Sequence, residues 1–202
     1  MQFNEWIIAA LLLTAGCTTT DSHRPNLEAA TTTRPATVPA DSLVLVPEQG
    51  LVRYEGHPFT GTALKYHPNG RLAASIAYRN GKKHGKYLMW FEDGRKSFEA
   101  TYVDGKRHGK VYTWWRNGKL RSESNYVMGV AHGEQKQWYS SGAIFKKMHL
   151  VQGREEGLQQ CWRENGKLYS NYEARNGRIF GLKRSKLCYE LDDETVDVGA
   201  DD

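Results

Sequence analysis

Gly85-Lys-Tyr-Leu-Met-Trp-Phe-Glu-Asp-Gly94-Arg-Lys-Ser-Phe-Glu-Ala-Thr-Tyr-Val-Asp-Gly105-Lys-Arg-His-Gly109 is the stretch that decides the fold. Its glycines recur every 24 residues along the chain. One column is Gly61, Gly85, Gly109, Gly133, Gly157 and Gly181. A second is Gly70, Gly94, Gly118, Gly142 and Gly166, and a third is Gly81, Gly105, Gly129, Gly153 and Gly177. Three columns in register, with no slip, mark one supersecondary unit copied and stacked.

The two inner columns stand in turn dipeptides. Asn69-Gly70, Asp93-Gly94 and Asn117-Gly118 belong to one set, and Asn80-Gly81, Asp104-Gly105 and Asn176-Gly177 to the other. Such dipeptides suit tight hairpin turns in which both central residues take positive φ. The runs between them, about six and about eight residues long, fit strands and are short for helices. Alternation with period two predicts that Leu88 and Trp90 share one face, with Met89 and Phe91 opposite. On the next strand it groups Lys96, Phe98, Ala100 and Tyr102. The fold class read from this pattern is all-β, an elongated single-layer antiparallel array of β-hairpins wetted on one mostly polar face.

Equivalent positions on neighbouring hairpins face alike, so columns become ladders. Tyr66, Trp90, Trp114, Trp138 and Trp162 form the candidate binding ladder. Tyr78, Tyr102, Tyr126, Leu150 and Ala174 form another, and Leu72, Lys96, Leu120, Ile144 and Leu168 a third. Two readings of the Trp ladder stand open. Each hairpin lacks a core of its own and buries its stripe on its neighbours, or the outer ring edges line an open trough.

Tyr102-Val-Asp-Gly-Lys-Arg-His-Gly109, followed by Trp114, Trp115 and Asn117-Gly-Lys-Leu120, resembles the bacterial variant of MORN repeats. The resemblance covers about residues 54–181, and proteins built this way look like the group labelled YwqK-family antitoxins. It implies an array of β-hairpins used as a protein-interaction or membrane-associated scaffold, with an antitoxin role as the alternative. The later units depart from the pattern. His84, His108 and His132 precede their column glycines, whereas Glu156 and Phe180 stand there in the last two units.

The chain opens with an apolar run, Ile7 to Ala15, ending at Gly16-Cys17. That length is too short to span a bilayer and reads as a secretory segment. Small residues before a lone cysteine resemble a lipoprotein signal, so 1–17 is assigned as a signal peptide with Cys17 as lipid attachment site. An ordinary cleaved signal or a short anchor is the alternative. Residues 18–42 hold seven Thr, four Ala and three Pro and read as a disordered tether. Residues 43–60 read as a capping hairpin that enters the array in register through Tyr54. Five repeats fill 61–181, a closing strand follows over 182–191, and 192–202 form an acidic tail. The expected location is exported and lipid-anchored, by resemblance at the outer membrane. With Cys17 acylated, Cys161 and Cys188 form a candidate disulfide in an oxidising envelope, two buried free thiols being the alternative.

Residues 61–189 hold 25 Lys and Arg against 10 Asp and Glu, so the formal charge of +5 hides a basic array. Arg71, Arg95, Lys119 and Lys167 stack as a candidate basic ridge, and Lys82, Lys83, Lys106 and Arg107 add a second. Such a ridge attracts an anionic envelope polymer or lipid headgroups, or keeps hairpin edges soluble and unpaired. Nucleic acid ranks below these partners, because an exported chain rarely meets it. No phosphate-cradling loop, Cys-x-x-Cys pair or His-Glu-x-x-His run is present, so neither catalysis nor a cofactor is expected. Histidines two strands apart stand about 10 Å from each other. That is too far for a shared metal, and turn packing or hydrogen bonding is the better reading of that column. The expected function is a non-enzymatic, membrane-tethered scaffold that binds a protein or an anionic envelope component.

Overall fold

The computed structural model describes residues 36–183. Cys17, Cys188, the tether before residue 36, most of the expected closing strand and the acidic tail lie outside the described residues. The periodic run folds as the glycine spacing predicts, into one long antiparallel sheet of sequential hairpins. Its strands are β5 (Gly61–Tyr66), β6 (Leu72–Arg79), β7 (Lys82–Trp90), β8 (Lys96–Val103), β9 (Lys106–Trp114) and β10 (Leu120–Val127). They continue as β11 (Val130–Ala131), β12 (Gly133–Trp138), β13 (Ile144–Val151), β14 (Arg154–Glu155), β15 (Gly157–Trp162), β16 (Leu168–Arg175) and β17 (Arg178–Leu182). Neighbours in sequence are neighbours in the sheet, with the short β11 and β14 lying beside β10 and β13. Units are counted from the first glycine column: 61–84, 85–108, 109–132, 133–156 and 157–180.

The two turn sets differ, and only one has the geometry expected of both. Asn80, Asp104, Met128, Gln152 and Asn176 have φ between 47° and 51°, each followed by a positive-φ glycine. These are two-residue hairpin turns with both central residues left-handed. Asn69, Asp93, Asn117, Ser141 and Asn165 are not left-handed. In their turns the Gly70 N–H donates to the His67 carbonyl at 2.9 Å, and the Arg71 N–H to Asn69 Oδ1 at 3.0 Å. Asn and Asp are placed there because the side chain accepts a hydrogen bond two residues on, while glycine alone takes the left-handed conformation.

Those longer turns leave an extra residue on the outgoing strand. Trp90 pairs with Lys96 while Met89 pairs with Phe98, so Ser97 is bulged. The same shift occurs before Tyr66, Trp138 and Trp162, and between Leu120 and Ser122. A bulge reverses the alternation beyond it. Lys96 therefore does not share a side with Phe98, Ala100 and Tyr102, as strict alternation had it. The Trp column lies on the face of Leu88, Glu99 and Tyr112, and the tyrosine ladder on the opposite face. Both faces carry rings, so the division into one apolar and one polar side does not hold.

The core lies on the tyrosine face. Ala100, Tyr102 and Val111 are buried there, with Tyr87, Phe98 and Tyr126 packed against them. At the N-terminal end the expected cap differs in two ways. Its hairpin exists, as β2 (Val44–Val46) on β3 (Leu51–Tyr54), but it joins β4 (His57–Pro58) in a separate three-stranded sheet. Its turn residues, Glu55 and Gly56, come one residue early against Asn80 and Gly81, and a one-residue slip turns every side chain to the other face. The edge place is taken instead by β1 (Ala36–Pro39), paired parallel with β5. Ala36–Pro39 falls in the stretch read as tether, yet Val38 is buried with Phe59 and Ala63. The Gly81 carbonyl accepts the Val52 N–H at 2.8 Å, and a Cβ on Gly81 would lie 2.8 Å from the Val52 oxygen.

Candidate binding surfaces

The Trp ladder sits half-buried on a face braced by ion pairs. Tyr66, at the start, is 55% exposed, while Trp90, Trp114, Trp138 and Trp162 are partly covered. Lys86 and Lys96 both reach Glu99 at 2.8 Å, and Lys110 reaches Glu123 at 2.6 Å. Hydrogen bonds from Lys86 and then Lys96 hold the Glu99 carboxyl below its ordinary value. Lys96 Nζ also stands 5.3 Å over the Trp114 ring, and Lys147 Nζ 5.9 Å over that of Trp162. Lysine stems thus cover the indoles that bare strand alternation would expose.

The first basic ridge is built into the turns. Arg71 Nη1 donates to the Glu92 carbonyl at 3.3 Å and Arg95 Nη1 to the Arg116 carbonyl at 3.0 Å. Lys119 Nζ donates to the Ser141 carbonyl. Each cation donates to a carbonyl in the next unit, that of Glu92 being shared with Asn69 Nδ2 at 3.0 Å, while its side chain stays exposed. Lys167, in the last unit, has no equivalent bond among the described residues. The second ridge splits. Lys82 and Lys106 are exposed, but Lys83 lies 4.9 Å over Tyr87 and Arg107 5.3 Å over Tyr126. Arg107 also donates to the Tyr102 hydroxyl at 3.3 Å, which raises its pKa further. Burial pushes the Tyr78 and Tyr87 phenols upward in the same row.

The histidine column serves the turns. His84 Nδ1 accepts the Asp104 N–H at 3.4 Å, and His132 Nδ1 accepts the Gln152 N–H at 3.5 Å. Where histidine is replaced, Glu156 Oε2 accepts the Asn176 N–H at 3.3 Å, and Thr60 Oγ1 accepts that of Asn80 at 2.8 Å. Glu156 and Thr60 therefore keep an acceptor at that place, which Phe180 does not supply. Cys161 is 3% exposed and disulfide-bonded. Its expected partner, Cys188, lies outside the described residues.

A further surface was not legible from alternation. The bulged residue of each unit faces the first residue of the preceding turn, so planar side chains meet there in three successive units. Arg121 lies 4.6 Å over the Trp115 ring, Tyr139 and Phe145 stand 5.0 Å apart, and Arg163 lies 5.2 Å over Tyr169. Their tips are tied along the array. Trp115 Nε1 donates to the Trp138 carbonyl at 3.0 Å, and the Tyr139 hydroxyl to that of Trp162 at 2.9 Å. Between units three and four these groups border a groove of about 710 Å³, floored by Thr113, Ser122 and Gln137. The signal for it was the bulge, which follows from a type I turn closed by glycine rather than from hydrophobic period.

A single open sheet of stacked hairpins, with ring and cation columns on rigid strands, defines a repeat-based binding scaffold. Residues 107–128 and 131–152, the third copy and its successor, match the family model described as MORN repeat variant. No curated protein matches the chain.

Proposed function

We propose that this chain is a non-enzymatic repeat scaffold, tethered to a cell-envelope membrane through acylated Cys17, that binds a protein partner or an anionic envelope component. One observation carries the reading: residues 61–183 hold 23 Lys and Arg against 10 Asp and Glu on a rigid sheet. Such a surface attracts anions over a Debye length and loses that attraction as salt rises. Two experiments separate the parts of the reading. Replacing Cys17 by Ser should release the protein from the membrane fraction, and a variant that still pellets with membranes overturns the tether. Binding to an immobilised anionic polymer should weaken steeply between low and high salt. Salt-insensitive binding to one protein alone would replace this reading with sequestration of a cognate partner, such as a toxin.

A further inference from the structure

The planar stacks give the proposed scaffold a more specific ligand. We propose that the flank formed by Trp115, Arg121, Gln137 and Arg163 is a binding site for a carboxylated linear polysaccharide, a refinement that rests on the anionic-component half of the proposed function.

The Arg121 guanidinium lies 4.6 Å over the Trp115 ring and that of Arg163 5.2 Å over the Tyr169 ring, and a guanidinium carries a planar fork of N–H donors that matches a carboxylate. Among the described residues neither makes an ion pair and no acidic side chain lines the groove. An anion is therefore the complementary charge. The Trp115 plane is fixed by its bond to the Trp138 carbonyl, so the guanidinium stacked on it is positioned before any ligand arrives.

Three features favour a sugar chain over other polyanions. The site lies on a sheet face, where backbone N–H and C=O groups are already committed to the ladder. A peptide docked there could not pair its own backbone as it would at a sheet edge. The guanidinium covers one face of the Trp115 ring, the platform on which a nucleobase would stack. Around it stand groups suited to hydroxyls, the Gln137 amide and the Thr113–Ser122 hydroxyl pair at 2.6 Å. The unit also advances two strands, about 10 Å, close to the length of two pyranose rings in an extended 1,4-linked chain. Arg121, on β10, and Arg163, just past the end of β15, are three strands apart in the sheet order, about 14 Å, a span of roughly three such rings.

The test is calorimetric titration of the full-length chain in detergent with a β-1,4-linked mannuronate hexasaccharide. Cellohexaose, poly-glutamate and oligo-thymidylate serve as comparators. The acidic sugar should bind at least about tenfold more tightly than any comparator. Arg121→Gln combined with Arg163→Gln should remove that preference, with the circular dichroism spectrum unchanged because neither guanidinium bonds to the backbone of the described residues. Gln137→Ala should give a smaller loss of the same kind. Equal binding of all three polyanions, or full mannuronate affinity in the double variant, overturns this site while leaving the scaffold as a general polyanion binder. Binding of no polyanion overturns both the site and the anionic half of the proposed function.

Discussion

The core column of units two and three is apolar, whereas that of units four and five holds amides. In the first region Tyr87 and Val111 occupy the core column beneath Tyr102 and Tyr126. In the second the same column holds Gln135 and Gln159, 5% and 1% exposed. Backbone continuity changes with the core. β7 and β9 each run nine residues unbroken, but the equivalent strands of units four and five split at His132 and Glu156. The glutamines act at those breaks. Gln135 Nε2 donates to the Asn125 carbonyl at 3.0 Å, and Gln159 Nε2 to that of His149 at 2.8 Å, with the Gly133 and Gly157 carbonyls close by. One backbone plan thus accepts two kinds of interior, provided every buried carbonyl at the bulge finds a donor. The cost shows at Gln159 Oε1, which is buried with no partner among the described residues.

This contrast can be broken at either end. Tyr102→Ala should destabilise the ring-filled region most, by about 3 to 5 kcal/mol, since truncating a buried aromatic leaves a cavity. Hydrogen exchange should show units two and three opening while units four and five keep their protection, because each repeat depends on its neighbours alone. Uniform loss along the chain would mean that the two regions fold as one. Gln159→Leu should cost roughly 2 kcal/mol, confined to unit five, since it strands carbonyls that now receive the amide. If that variant is neutral, the orphaned Oε1 already offsets what the donor contributes.

Smaller effects sharpen the comparison at its turns and charges. Met128 and Gln152 occupy left-handed positions that hold Asn80, Asp104 and Asn176 elsewhere. Met128→Asn should stabilise unit three by about 0.5 to 1 kcal/mol, because Asn tolerates that conformation better. Chemical denaturation followed by Trp fluorescence would detect it. The smallest effect concerns acid. Glu99 has its pKa lowered from 4.5, so its contribution is complete above that value and disappears as pH falls through the lowered one. Glu99→Gln should therefore flatten the acid limb of the stability profile and change little once pH has fallen below the lowered pKa. Lys147 stands at the matching place in unit four, so the carboxylate of that position is missing there.

Much of the fold was legible because its determinants are local. A left-handed φ, an Asx hydrogen bond and a six- or eight-residue run each depend on a few adjacent residues. The ten principal strands of the five units follow from them. The site was less legible. The Trp ladder lines up as read, but its face, its lysine cover and its separation from the tyrosine ladder depend on a bulge that alternation cannot see. The basic ridge, read as a free stripe, spends three of its four cations on the next unit's carbonyls, partners about twenty residues away in sequence.

The amino-acid order alone determined the period, the strand lengths, the turn residues and the excess of positive charge, since these are properties of short segments and of counting. Tertiary structure alone decided that β1 closes the sheet edge, that the cap is displaced by one residue, and that Arg121 and Arg163 each lie over an aromatic ring. Those outcomes require strands to come together, and the register in which they do so sets which side of the sheet each side chain occupies.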